Sequence, residues 1–583
     1  MKTESRFTVR PPASLQDIEQ FRAEALRLQQ GALSPDDFRP FRTMYGIYGQ
    51  RQKDRYMVRV KVPSGLLAAE QLEVLGRIAH DFSRGYGYVT TRQDIQFHNT
   101  LLDDVPTIMD RLAGVGLTTR EAGGNSVRNV TCDYMAGICA QEIFDVTPYA
   151  VAVTHHFLRH PLVQRLPRKF KVAFSGCPHD HGLTPIHDIG ARAVVRDGQR
   201  GFQIWVGGGL GAVPRLADLF VEFVAEEELI RTCEAIIRVF NKEGGLSNLL
   251  RKNKNKARLK FLLAKLGIDE FRRLVEEELA SLPPASGDTY TQPDLSQAEG
   301  PPQYLVSPAA VTPHPGYHRW RETNAIPQKQ QSYYTAQVTL PVGKITAQQF
   351  LALAQICRRF AGGWLRTTPQ QNVVLRWVRE ENLPALHAAL TEADLGQEGA
   401  ETVVDPVACP GADTCMSAIT TAKGLARALA QELAKDGLLE DSLVRAIRIK
   451  VSGCPNSCGH HGFADIGLYG STVHMDGRLI PTYELLVGGG LNGQPALGRR
   501  VMRIAARRAP QAVADLVQLY RESRHQGESF RQFVLRVEPP YLQEVLAEYQ
   551  PMPTFAQDPF AYIDWESDKL FSLDERGEGE CAV

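Results

Sequence analysis

VSGCPNSCGHHGFADIG, Val451 to Gly467, sets Cys454 and Cys458 four residues apart behind an apolar segment. FSGCPHDHGLTPIHDIG, Phe174 to Gly190, repeats the frame, keeping Cys177 but placing His181 where the second cysteine would stand. Aligning the SGCP tetrapeptides sets Ser175 against Ser452, 277 positions apart; the same offset carries Cys132 onto Cys409, Asp188-Ile189-Gly190 onto Asp465-Ile466-Gly467, and Thr90-Thr91 onto Thr367-Thr368. With small insertions, VKVPSG (60–65) resembles VTLPVG (338–343), and VGGGLG (206–211) resembles VGGGLN (487–492). So long a period implies an ancient duplication into two pseudo-symmetric halves, not a solenoid.

Each half carries the same pattern. An alternating strand (YMVRVKV; YYTAQVTL) precedes a helical segment (AAEQLEVLGRIAHDF; TAQQFLALAQICRRF), then a second strand (YVTTRQDIQF; WLRTTPQQNVVLRW). An α/β block follows, built on KFKVAFSG or IRIKVSG. Ser281 to Gly316, rich in Pro, Ser and Gly, reads as a linker.

The 66 basic and 66 acidic side chains of the 583 residues balance, so bulk charge argues neither for nucleic acid nor for a membrane surface. MKTESRFTVRPPA lacks the apolar core of a secretory signal, and no apolar run reaches the ~18 residues of a membrane span, so a cytoplasmic protein is expected. Clustered thiols in a reducing compartment bind metal or do redox chemistry more often than they form disulfides. Cys132, Cys139 and Cys177, then Cys409, Cys415, Cys454 and Cys458, form two clusters; Cys233, Cys357 and Cys581 stand apart.

Pro455 suits a first helical position, so Cys454 is expected near a helix N-cap, with Cys458 one turn on and on the same side. The free N–H groups and positive dipole end there would favour an anionic metal centre. Cys409 and Cys415 add two thiols on a tight loop, giving C-x5-C, 38 residues, then C-x3-C. Four thiolates from two segments suit tetrahedral zinc or an iron–sulfur cluster, although structural zinc loops usually use C-x2-C knuckles.

This pairing, in a duplicated chain, resembles the sirohaem-containing sulfite and nitrite reductase family over roughly residues 40 to 540. The resemblance implies a [4Fe-4S] cluster on Cys409, Cys415, Cys454 and Cys458, with Cys458 also bridging to the sirohaem iron. It matches Arg92 in TTRQDIQFH, Arg128 in VRNV, and Lys169 and Lys171 in LPRKFK to the family's substrate-contacting bases. In RKNKNKARLKF (251–261), otherwise an exposed stripe or a nucleic-acid patch, it matches Arg258 and Lys260 to residues that salt-bridge sirohaem carboxylates. The implied fold is α+β, each half having a ferredoxin-like half-domain (41–122; 326–400) and a sirohaem- and cluster-binding α/β domain (123–280; 401–540). An N-terminal extension (1–40), a linker (281–325) and a C-terminal tail (541–583) complete the expected layout.

The copies decay reciprocally. Ile138 and His181 stand at the offset positions of Cys415 and Cys458, so the first half cannot build the same cluster; a different metal site from Cys132, Cys139, Cys177 and His181 is conceivable. Conversely, Arg92, Arg128, Lys169 and Lys171 face Pro369, Asp405, Ala446 and Arg448, so three of the four charges vanish. One composite site is expected, with the cluster from one half and an anion cage from the other.

The implied reaction is six-electron reduction of sulfite to sulfide, with reduction of nitrite to ammonia as the alternative. LPRKFK keeps both lysines, as sulfite reducers do, whereas plant-type nitrite reductases tend to have Asn at the position of Lys171. Against this, Ser126, near Tyr48, replaces a cysteine that forms a thioether in some sulfite reductases. No nicotinamide or flavin motif appears, and the Gly207–Gly209 and Gly488–Gly490 runs lack dinucleotide spacing, so ferredoxin or a flavoprotein is the expected external donor. A cobalamin-pathway precorrin hydroxylase and a zinc-stabilised scaffold are the competing classes. The tail ending in Cys581 reads as mobile and acidic.

Overall fold

YVTTRQDIQF does not run as one strand. In the computed structural model, which describes residues 12–246, 253–285, 299–302, 313–435, 437–491, 493–577 and 579–580, it is a hairpin. Tyr86–Val89 and Ile95–Thr100 pair antiparallel about a turn where Gln93 takes a left-handed φ of 61°. Gln371 (φ 67°) does the same between Trp364–Thr367 and Val373–Arg379. Period-two alternation cannot register so short a polar reversal. The turn bonds also correct the register. Thr90 Oγ1 accepts from the N–H groups of Arg92 and Asp94, and Thr368 Oγ1 from those of Gln370 and Asn372. Thr90 therefore corresponds to Thr368, and the counterpart of Arg92 is Gln370, not Pro369; the cation is still lost.

The two halves exchange strands. One antiparallel sheet orders Ile47–Gly49, Tyr56–Val60, Ile95–Thr100 and Tyr86–Val89, and is completed by Lys344–Thr346 from the second half. The other orders Ala325–Pro327, Tyr333–Val338, Val373–Arg379 and Trp364–Thr367, and is completed by Leu66–Ala68 from the first. Helices Ala69–Phe82 and Ala347–Phe360 meet between them; a Cβ on Gly76 would lie 3.0 Å from Ala347 O and Phe350 Cβ. Leu72, Leu75, Phe350 and Leu353 share one core, so the half-domains fold as a single body.

Each α/β unit holds a five-stranded mixed sheet. Thr131–Cys132, Val172–Ser175 and Ile189–Arg196 are parallel, then Gln199–Val206 and Asp218–Ala225 run antiparallel; Val407–Ala408, Ile449–Ser452, Ile466–Met475, Arg478–Val487 and Arg499–Ala505 repeat the order. Asp188 and Asp465 each accept a backbone N–H across this repeat, from Lys171 and Arg448, both at 2.9 Å.

The terminal segments pack on this body. Phe21 of helix Pro12–Gln29 packs at a tilt against Phe38 and edge-to-face against Tyr45, and Asp564 accepts from the Thr421 N–H at 2.7 Å. Arg251, Lys252, Cys581 and much of the linker lie outside the described residues. Among the described residues, no helix is long and apolar enough to cross a membrane.

Candidate active site

Strand Ile449–Ser452 delivers Cys454, but no helix follows. Residues 453–463 pass through successive turns, with Ser457 (φ 56°) and His460 (φ 63°) left-handed. The expected N-cap is therefore corrected, because these N–H groups are used singly. Gly459 donates to Ser452 Oγ (3.1 Å) and Gly453 to Cys409 Sγ (3.2 Å). A Cβ on Gly459 would stand 2.1 Å from Val451 O, so only glycine lets the loop double back. Strand Val407–Ala408, parallel to Ile449–Ser452, brings Cys409 alongside.

Cys409, Cys415, Cys454 and Cys458 share one electrostatic neighbourhood, and none forms a disulfide. Burial, then the charges of Cys458 and Cys454, push the Cys409 thiol well up. Four thiols this close become thiolates only with positive charge among them, so the donor set fits a metal cluster.

Arg92, Arg128, Lys169 and Lys171 line one cleft with Cys409, Cys415 and Cys458, about 1270 Å³ including its mouth. The halves meet directly where Thr91 Oγ1 donates to Cys458 O at 3.0 Å. Arg92 lends one Nη2 donor to Asn129 O, while its Nε and Nη1 find no hydrogen-bond partner among the described residues; burial pulls its pKa to about 10. Arg128 is held by Gly124 O (2.9 Å), Ala122 O (3.3 Å) and Tyr48 OH (3.2 Å). Burial, with Arg92, Arg258 and Lys169 close by, pushes the Lys171 ammonium well below the usual lysine range, and the Cys458 charge opposes that. Unpaired guanidinium donors and a strained ammonium are what a polyanionic ring and an anionic substrate would satisfy.

The basic run splits. Lys254 and Lys256 are exposed, whereas Arg258 and Lys260 are buried. Arg258 pairs with Asp188 at 2.7 Å and lies against Gly209, where a Cβ would meet its Nη2 at 2.8 Å. Lys260 Nζ donates to the carbonyls of Gly209, Leu210 and Val213. An ammonium has three donors, so in this structure Lys260 ties down the glycine loop.

Several groups at the cleft carry no clear sequence signal. Lys423, on the buried face of helix Ala422–Leu433, sits 3.3 Å from the centroid of the Tyr88 ring, and burial draws its pKa to about 8. Behind the cleft, His460 of the quoted GHHG is held far below the usual imidazole range by burial and then by Lys450 and Lys171. The tail is not mobile at Glu580: its carboxylate lines the same cleft, accepting from Arg42 Nη1 and the Gly49 N–H, each at 2.7 Å. Arg42 lies 538 positions away, beyond any local pattern. Ser126 Oγ donates to Gly123 O at 2.9 Å.

Known proteins share this arrangement. The nitrite and sulphite reductase 4Fe-4S domain matches residues 123–282 and 399–553, and the nitrite/sulfite reductase ferredoxin-like half domain matches 48–115 and 326–393. The chain belongs to the nitrite and sulfite reductase family of oxidoreductases. The ferredoxin–nitrite reductase of Synechococcus elongatus is 30% identical over 79% of this chain and 86% of its own length. The assimilatory ferredoxin-dependent nitrite reductase of Haloferax mediterranei is 30% identical over 89% and 88%, and a sulfite reductase [ferredoxin] of Mycolicibacterium paratuberculosis 27% over 83% and 82%. The structure of the Mycobacterium tuberculosis NirA protein superposes with a TM-score of 0.76 at 26% identity, covering 91% of this chain and 95% of that one.

Proposed function

We propose that this protein reduces sulfite to sulfide, taking up six electrons and releasing each oxygen as water, with a ferredoxin as donor. Cys409, Cys415, Cys454 and Cys458 would hold the [4Fe-4S] cluster, and the cation-lined cleft beside Cys458 the sirohaem. Bound there, the two groups supply electrons one at a time and an iron site for the anion. The observation that carries the reading is the single cleft shared by the second half's thiols and the first half's four cations.

Arg92 would offer the oxyanion its Nε and Nη1, which find no partner among the described residues, and so stabilise charge as it develops on oxygen. Lys171, destabilised as an ammonium in the substrate-free cage, regains its proton against an anion and can then pass it to a departing oxygen. Both lysines of LPRKFK, Lys169 and Lys171, line the cleft, and that pair is what supports sulfite over nitrite. Nitrite is the second reading, supported by the names of the 30% identical relatives. Those names also support ferredoxin as the donor.

Sirohaem-replete protein, assayed anaerobically with reduced methyl viologen or ferredoxin, tests both. A higher kcat/KM for sulfite, with sulfide as product, supports the first. Preference for nitrite with ammonium release assigns the second, and absence of both activities removes the proposal.

A further inference from the structure

The first half retains a polar corner where the second half gathers its cysteines. Asp133 follows strand Thr131–Cys132 and Cys177 follows strand Val172–Ser175, as Cys409 and Cys454 follow their parallel strands. Cys177 Sγ lies 3.5 Å from His181 Nδ1 and 3.3 Å from Asp133 Oδ2, and His181 Nδ1 lies 3.1 Å from Asp133 Oδ1. Of the four residues considered from sequence, Cys132 drops out. Successive strand residues point to opposite faces, so Cys132 turns toward Thr147 and Arg366 while Asp133 takes the corner. Cys139 packs in the same small apolar cluster as Cys177.

From these positions we infer that Asp133, Cys177 and His181 form a site for a borderline divalent cation of the zinc class, distinct from the cysteine cluster. Tetrahedral zinc with bonds of about 2.3 Å to sulfur and about 2.0 Å to nitrogen and oxygen sets its ligand atoms about 3.5 Å apart for S···N and S···O, and about 3.3 Å for N···O. The S···N separation matches its edge, while Cys177 Sγ and His181 Nδ1 approach different oxygens of Asp133, so the carboxylate would rotate to present one oxygen to the ion. Without an ion the same atoms pair through protons, Cys177 Sγ donating to Asp133 Oδ2 and His181 Nδ1 facing Asp133 Oδ1, and a divalent cation would take the place of those protons. Asp133 and Cys177 are buried while the His181 side chain is 25% exposed, giving the ion an entry. Neighbouring Tyr134 donates to Glu401 of the second half at 2.7 Å, so the ion would brace the seam between halves. The fourth position falls to water or to Cys139.

The probe is zinc chloride alone, added to chelator-treated holoenzyme and followed by dialysis. Zinc and iron are counted separately, and the zinc K-edge absorption is recorded. One zinc per chain is expected at unchanged iron content, with one or two sulfurs at about 2.3 Å and the remaining shell nitrogen or oxygen at about 2.0 Å. Cys177→Ser and Asp133→Asn should each weaken retention at least tenfold, at or above the roughly 10–100-fold loss that supporting residues alone produce. Failure to retain zinc, a shell without sulfur, or equal retention by both variants overturns the site. The wild-type absorption shell decides the matter if a variant does not fold.

Discussion

Arg92→Gln installs the residue that the second half carries at the same place in its turn, so the hairpin tolerates it. Thr90 Oγ1 caps backbone N–H groups that the change leaves alone. The cleft loses a fixed cation and the two donors for which no partner is found among the described residues. Loss of one preorganised donor to developing negative charge typically costs about 100- to 1000-fold in kcat, or about 2.7–4 kcal/mol. Stability should move the other way. Burial draws the Arg92 pKa from 12.5 to about 10, a folding cost of roughly 3 kcal/mol at about 1.4 kcal/mol per unit, against about 1 kcal/mol for the bond to Asn129 O. The variant should therefore fold at least as stably as the parent, bind its cofactors, and lose turnover. The assay pairs sulfite and nitrite kcat/KM with sirohaem content and the urea midpoint. Undiminished kcat/KM for both anions refutes the cage, and a variant destabilised by more than about 2 kcal/mol refutes the electrostatic reasoning.

Glu580→Ala leaves Arg42 buried without its carboxylate; breaking such a pair costs about 3–5 kcal/mol, and the tail should become a site of early proteolytic cleavage, an outcome limited digestion reads directly. Lys423 has a folded pKa of about 8, below the unfolded value of about 10.4. Between these the unfolded chain binds more protons, so this group's contribution to stability rises with pH from about 8 to about 10.4. Lys423→Met should remove that rise and raise stability at pH 7, measured as the difference between parent and variant urea midpoints across pH. Gly459→Ala forces a Cβ to 2.1 Å from Val451 O and displaces the Cys458 turn; purified protein should lose iron while the halves' shared core stays folded by circular dichroism.

The repeat and the clustering of the four cysteines were legible because each rests on residue identity at a fixed spacing, whereas the four cations were matched only through the family resemblance. Duplication preserves identity, and chemistry restricts which residues can ligate a cluster or hold an anion. Local patterns misled where the chain reverses on itself. TTRQD and CPNSC look like strand and helix starts, and their left-handed residues at Gln93 and Ser457 are stabilised by distant partners such as Cys132 and by close turns that no periodicity reports. The strand exchange through Leu66–Ala68 and Lys344–Thr346, the Arg42–Glu580 pair and the Asp133–Cys177–His181 corner join residues from separate segments. Spacing narrowed the clustered cysteines to a metal centre, and the family resemblance supplied the reaction. Which side chains meet was decided only by the folded core, since burial and long-range pairing depend on energies shared across the whole molecule.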